Sequence, residues 1–185
     1  MKIKNNNAYS IDDAYRSLDN INCWIVNSDT KASIVLGLLG VLFTIIFSNS
    51  DFINILNKLI NEIFNNIMFC DMFYLIIMFF SLVLFINGIY KLILVLIPKL
   101  KLNINKRKSI LYFGDICSFE SVNEFKYKVY HTKKGELLDD VLNQVYINSN
   151  ICTKKFNNYK VGISRIFLGI LIFFVFYMLG ILVYL

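Results

Sequence analysis

The sequence of 185 residues contains one proline and one histidine, and only 17% of it is charged. A soluble domain averages about 25% charged residues, so the shortfall points to a membrane protein. With Pro98 alone, long stretches are free to run as unbroken helix. His131 is the single imidazole, and Cys23, Cys70, Cys117 and Cys152 form no C-x-x-C pair, so no metal site is expected. The topology argued below leaves Cys70 alone on the far side, which speaks against a disulfide framework; the cysteines read as small buried hydrophobes. Catalytic patterns are missing too: there is no G-x-S-x-G, no phosphate-binding loop, no H-E-x-x-H and no Cys/His dyad. Neither an enzyme nor a cofactor is expected. No signal peptide is expected either, because the first apolar run starts late and no small-residue cleavage site follows it.

What is present is apolar. Hydrophobic residues make up 57% of the chain and mean hydropathy is +0.57. The net charge of +6 reads as the excess of Lys and Arg that membrane proteins keep on the cytoplasmic side, not as a nucleic-acid footprint. Residues 1–9 are polar and expected to be disordered. Ser10 is a plausible N-cap with Asp12 and Asp13 in the first turn, where the helix dipole favours acids. From there Ile11, Ala14, Leu18, Ile21, Ile25, Ser28, Ala32 and Val35 recur at three and four, a seam on one helical face. The spacing predicts one helix from about 10 to 47, polar in its first half and uncharged from Ala32 to Phe47.

The stretch after it alternates on a helical period. Phe52, Leu56, Leu59, Ile60, Ile63 and Ile67 face one way, and Asn54, Asn57, Lys58, Asn61, Glu62 and Asn65 the other. That suits an interfacial helix on the outer leaflet, or an amphipathic helix packed on protein. Met72 to Ile97 reads as a second crossing, ended by Pro98, and Ile163 to Leu185 as a third. Lys99, Lys101, Lys106, Arg107 and Lys108 follow the second crossing; Lys154, Lys155, Lys160 and Arg165 lead into the third. The expectation is an all-α integral membrane protein with three transmembrane helices and a small cytosolic helical domain continuous with them. Its parts are a cytosolic helix over 1–31, a crossing over 32–48, an extracytoplasmic amphipathic connection over 49–71, a crossing over 72–98, a cytosolic sensor region over 99–162 and a crossing over 163–185. The N-terminus is then cytoplasmic.

Inside the 99–162 region, Ile110 to Phe113 reads as extended and ending at a Gly114 turn, with Asp115 bonding nearby backbone. Ser118 or Ser121 can cap a short helix to about Tyr130, and Ser121 with Glu124 fits a capping box. His131 to Gly135 is a basic turn, and Glu136, Asp139 and Asp140 then open the longest helix. Its expected seam is Leu138, Leu142, Val145, Ser149, Cys152, Phe156, Tyr159, Ile163, Ile166 and Ile170, with Gln144, Asn148 and Lys155 as a polar stripe beside it. Asp29 and Lys31, too close along a helix to share a face, should have separate partners near the Phe113–Ile116 turn or this stripe. The plainer alternative is a solvated Asp29 and a snorkelling Lys31.

Three short patterns carry a resemblance. They are D-x-K-A at Asp29, Lys31 and Ala32, F-G-D-I at Phe113, Gly114, Asp115 and Ile116, and Q-x-x-x-N-S-x-I with lysines after it, at Gln144, Asn148, Ser149, Ile151, Lys154 and Lys155. In this order and placement the chain, from about 14 to 185, resembles the transmembrane effectors of bacterial pyrimidine cyclase anti-phage systems, the Pycsar effectors. The resemblance implies a non-enzymatic protein of the bacterial inner membrane that works with a pyrimidine cyclase. It would sense cCMP or cUMP and impair the membrane, causing abortive infection; a homo-oligomer in the lipid bilayer is expected. For such a ligand, with one phosphate and one base, the candidate binding residues are Trp24, Asp29, Lys31, Phe113, Gly114, Asp115, Gln144, Asn148 and Lys155. The alternative is a ligand-independent membrane-disrupting, holin-like or membrane-scaffold protein.

Overall fold

The computed structural model describes residues 9–48, 50–65, 69–98 and 108–184. The N-terminal tail, Ile67 and the basic residues Lys99, Lys101, Lys106 and Arg107 lie outside them. Among the described residues every regular element is a helix: α1 (Ile11–Ser48), α2 (Ser50–Asn65), α3 (Phe69–Leu96), α4 (Phe113–Ile116), α5 (Val122–His131) and α6 (Lys134–Tyr184). Three of these, α1, α3 and α6, are long and apolar enough to cross a membrane.

Helix α1 starts where its chemistry says it should. The Asp13 amide donates to Ser10 Oγ at 3.2 Å, and the Ser10 amide and hydroxyl donate to Asp13 Oδ2 at 2.9 and 2.7 Å. These bonds hold the Asp13 carboxyl below the usual carboxylate range. All eight residues of the predicted seam, from Ile11 to Val35, are buried or half-buried, while their neighbours Trp24, Val26 and Ile34 are exposed.

The chain divides into two units, residues 1–27 with 98–154 and residues 28–97 with 155–185. In the first, the short helix α5 is capped by Ser121, whose Oγ accepts the Glu124 amide at 3.2 Å, while Glu124 Oε2 accepts the Glu120 amide at 2.8 Å. The expected Gly114 turn is instead one helical turn, α4, and no glycine among the described residues has a positive φ. His131 closes α5, so the basic turn before α6 shrinks to Thr132 and Lys133. Cys152 is buried as expected of a small apolar residue, but Cys23 and Cys117 are exposed.

In the second unit Leu39 of α1, Leu92 of α3 and Ile166 of α6 form the buried centre, with Val35, Phe85, Ile89, Tyr159 and Ile163 against it. The outer faces are apolar as well: Phe73, Phe79 and Ile86 of α3 and Phe167, Phe174 and Leu182 of α6 are all exposed. A continuous exposed apolar band is the inverse of a soluble surface and suits lipid. Lipid offers no hydrophobic drive between helices, so they associate by close packing. Glycine supplies that closeness. A methyl group on Gly88 would come within 2.8 Å of the Gly162 carbonyl oxygen, and one on Gly169 within 2.9 Å of the Ser81 oxygen. Helix α2 buries Leu59 and Ile63, stacks Phe52 against Tyr177 at 5.2 Å and exposes the predicted polar face. Ile60 of the same predicted apolar face is exposed, as are Ile53 and Phe64.

Seven of the ten predicted seam positions of α6 are buried or half-buried, Cys152 and Ile166 among the buried. Leu142, Phe156 and Ile170 are exposed, and the buried α6 positions outside the predicted seam are Val141, Gln144, Lys155, Gly162, Gly169, Tyr177 and Gly180.

Candidate functional site

Two polar nodes stand out, one in each unit. In the first, Ser109 is the hub. It is nearly fully buried, and its hydroxyl donates to Asp140 Oδ2 at 2.9 Å. Ser109 Oγ in turn accepts the Leu111 and Tyr112 amides at 3.1 and 3.0 Å, and Gln144 Nε2 at 3.5 Å. Asp140 also accepts the Ile110 amide at 3.0 Å, and Asp115 Oδ2 accepts the Ser109 amide at 2.9 Å. The segment 109–115 is thereby tied to the start of α6. Asp115 is doing what a turn aspartate does with nearby backbone. Asn148, one turn beyond Gln144, donates to Asn22 Oδ1 of α1 at 2.8 Å.

In the second unit Lys155 is buried, with 4% of its surface exposed. Its Nζ lies 2.5 Å from Asp29 Oδ1 of α1 and 2.6 Å from the Val95 carbonyl oxygen, in the last turn of α3. A lysine amine buried so deeply must be paired, and here it is shared between a carboxylate and a helix C-terminus, which carries partial negative charge. Three helices meet on one cation.

The candidate residues therefore separate. Asp29 and Lys155 are brought together; Asp115 and Gln144 converge on Ser109; Asn148 reaches Asn22. Trp24 and Phe113 are exposed, at 58% and 61%, and Gly114 is half-buried in α4. Lys31 is exposed and makes no hydrogen bond or ion pair among the described residues. Asp29 finds its partner further along the same stripe, at Lys155, rather than at Gln144 or Asn148. No sequence pattern points to Ser109, to the Asn22 side chain or to the Val95 carbonyl, because isolated polar residues and backbone oxygens leave no periodic signal. Asn87 of α3 and Arg165 of α6 also pair, without a periodic signal that joins them.

Comparison with known proteins bears on this arrangement. The profile of the Pycsar effector protein domain matches residues 13–184. The Pycsar effector protein GmPycTM of Gulbenkiania mobilis is 34% identical over 176 residues, covering 89% of each chain. No solved structure matches.

Proposed function

The chain belongs to the Pycsar effector protein family, and on that premise we propose that it senses a cyclic pyrimidine mononucleotide, cCMP or cUMP, and then impairs the bacterial inner membrane. The observation that carries this reading is the extent of the family match, from 13 to 184, which takes in the polar unit and all three apolar helices. The helices α1 and α6 each contribute residues to both units. The ligand can act only by binding one packing of the helices better than another. Within the polar unit, the exposed faces of Trp24 and Phe113 suit a base, and the exposed Lys154 suits the phosphate. Asp115, Gln144 and Lys155 are engaged in the nodes described above and serve as the frame rather than as direct contacts.

The test is co-expression with a pyrimidine cyclase in a bacterial host, reading growth and membrane potential by a voltage-sensitive dye. Depolarisation is expected only when the cyclase is active. Calorimetry of the detergent-purified chain should give binding of cCMP or cUMP but not of cyclic purine nucleotides, and Trp24→Ala should weaken it about 5- to 150-fold, the range of one lost base stack. Equal toxicity with an inactive cyclase would favour the ligand-independent alternative.

A further inference from the structure

Helix α2 presents three faces. Phe52, Ile55, Leu56, Leu59 and Ile63 are buried or half-buried and lie within an arc of about 100°. This arc packs on α6. Phe52 meets Tyr177 with ring centres 5.2 Å apart, and Leu59 sits where Gly180 has no side chain. A methyl group on Gly180 would come within 2.7 Å of Leu59 Cδ1. The opposite face is Asn54, Asn57, Lys58, Asn61, Glu62 and Asn65, all exposed. Between the two runs a third strip, Ile53, Ile60 and Phe64, aligned within about 40° and 38%, 37% and 60% exposed. A helix lying between protein and water would carry polar residues there.

Lipid fits this strip on three counts. The first is place: α2 joins α1 to α3, two helices long and apolar enough to cross a membrane. The second is continuity, because the helix ends around α2 also turn apolar residues outward, Met72, Phe73 and Ile76 of α3 and Leu182 and Val183 of α6. The third is depth. Tyr177 and Gly180 lie about 21 and 26 Å along α6 from Ile163, where the predicted third crossing begins. In a hydrocarbon core about 30 Å thick they stand about 4–9 Å from the far edge. An interfacial helix buries its apolar face about 5–10 Å into the boundary between headgroups and acyl chains.

We propose that α2 is an interfacial helix of the leaflet beside the C-terminal end of α6. Ile53, Ile60 and Phe64 enter the acyl chains, the asparagine face stays in water, and Phe52 with Leu59 fastens the helix to α6. The charged residues of α2 are Asp51, Lys58 and Glu62, so no cationic face draws it to anionic lipid, and apolar area holds it. Through its two contacts α2 fixes the depth of that end of α6. The inference concerns lipid and needs no nucleotide, so it stands or falls independently of the sensing reading.

The test uses the full chain in phosphatidylcholine nanodiscs, where water reaches both membrane faces. In a background lacking the four native cysteines, Ile60→Cys, Phe64→Cys and Asn61→Cys are each labelled with an environment-sensitive fluorophore. Two quenchers are compared, a lipid with a nitroxide high on its acyl chain and iodide in the water. The nitroxide lipid should remove most of the emission at positions 60 and 64 and iodide little; at position 61 the order should reverse. Phe64→Trp in a Trp24→Phe background repeats the reading without a bulky label: its emission should be blue-shifted and quenched by brominated lipid. Replacing part of the phosphatidylcholine by phosphatidylglycerol should leave the quenching at position 60 unchanged. Iodide reaching positions 60 and 64 as readily as 61 would put the strip in water and overturn the inference. Protection of 60 and 64 from both quenchers would overturn it too, since protein, such as a second copy, would then cover the strip. Insertion that appears only with phosphatidylglycerol would show that charge, not apolar area, holds the helix, and would equally sink the proposal.

Discussion

At the scale of single residues, the two partners of the Asp29–Lys155 pair are not equivalent. Lys155 has 5% of its side chain exposed and Asp29 35%. Removing the carboxylate leaves an ammonium buried with only the Val95 oxygen for company; removing the ammonium leaves a carboxylate that can turn toward solvent. Breaking a buried pair from the wrong side costs about 3–5 kcal/mol. Asp29→Ala should therefore lower the melting temperature of the detergent-solubilised protein far more than Lys155→Met, which keeps the stem and costs about 1 kcal/mol or less. Lys31→Ala should leave the melting temperature unchanged. Equal losses from Asp29→Ala and Lys155→Met would show that the pair is not held by burial.

At the scale of elements, α6 and α3 give two paired comparisons. Val141 is fully buried and Leu142 is 38% exposed, although they are adjacent. Val141→Asp buries an unpaired charge and should abolish accumulation of folded protein, whereas Leu142→Asp should accumulate normally. Quantifying each variant in the detergent-soluble, monodisperse fraction separates the two. On α3, Gly88→Ala forces a methyl against backbone, with the Gly162 oxygen at 2.8 Å and the Ile166 nitrogen at 2.8 Å, so the helices must part. That should cost about 1–3 kcal/mol. On α1, a methyl on Gly37 meets nothing within 4 Å. Gly37→Ala should be neutral, or stabilising by up to about 1 kcal/mol through helix propensity. A harmless Gly88→Ala in the same melting assay would mean that α3 and α6 do not approach as closely as described.

At the scale of the molecule, the charge distribution predicts orientation. Lysines and arginines gather after the second apolar helix and before the third, while the 49–71 connection carries few. Single-cysteine variants at Lys134 and Lys58 test it: a membrane-impermeant thiol reagent added to intact spheroplasts should label position 58 and spare 134. Labelling of 134 from outside would reverse the topology and remove the polar unit from the compartment where a cyclase works.

The sequence alone determined which stretches are helical and which of them suit lipid. Those properties come from local chemistry: the Ser10–Asp13 and Ser121–Glu124 caps, the period of the α1 seam, the two faces of α2 and the uncharged runs. The α1 seam was legible residue by residue because its first half lies among charged neighbours, where apolar and polar faces contrast. In α6 the period placed Tyr159, Ile163 and Ile166 inward, as the structure has them, but missed at Leu142, Phe156 and Ile170; where more than one face carries apolar residues, period alone does not say which one is inward. Only the tertiary structure decided that Gly88, Gly162 and Gly169 mark the helix contact, since a missing side chain is informative only beside the backbone it admits. Likewise, Ser109 and Lys155 became centres of their nodes only through partners distant in sequence, Asp140 for one and Asp29 with Val95 for the other. A buried polar group must be paired, but which group is buried depends on how the helices pack.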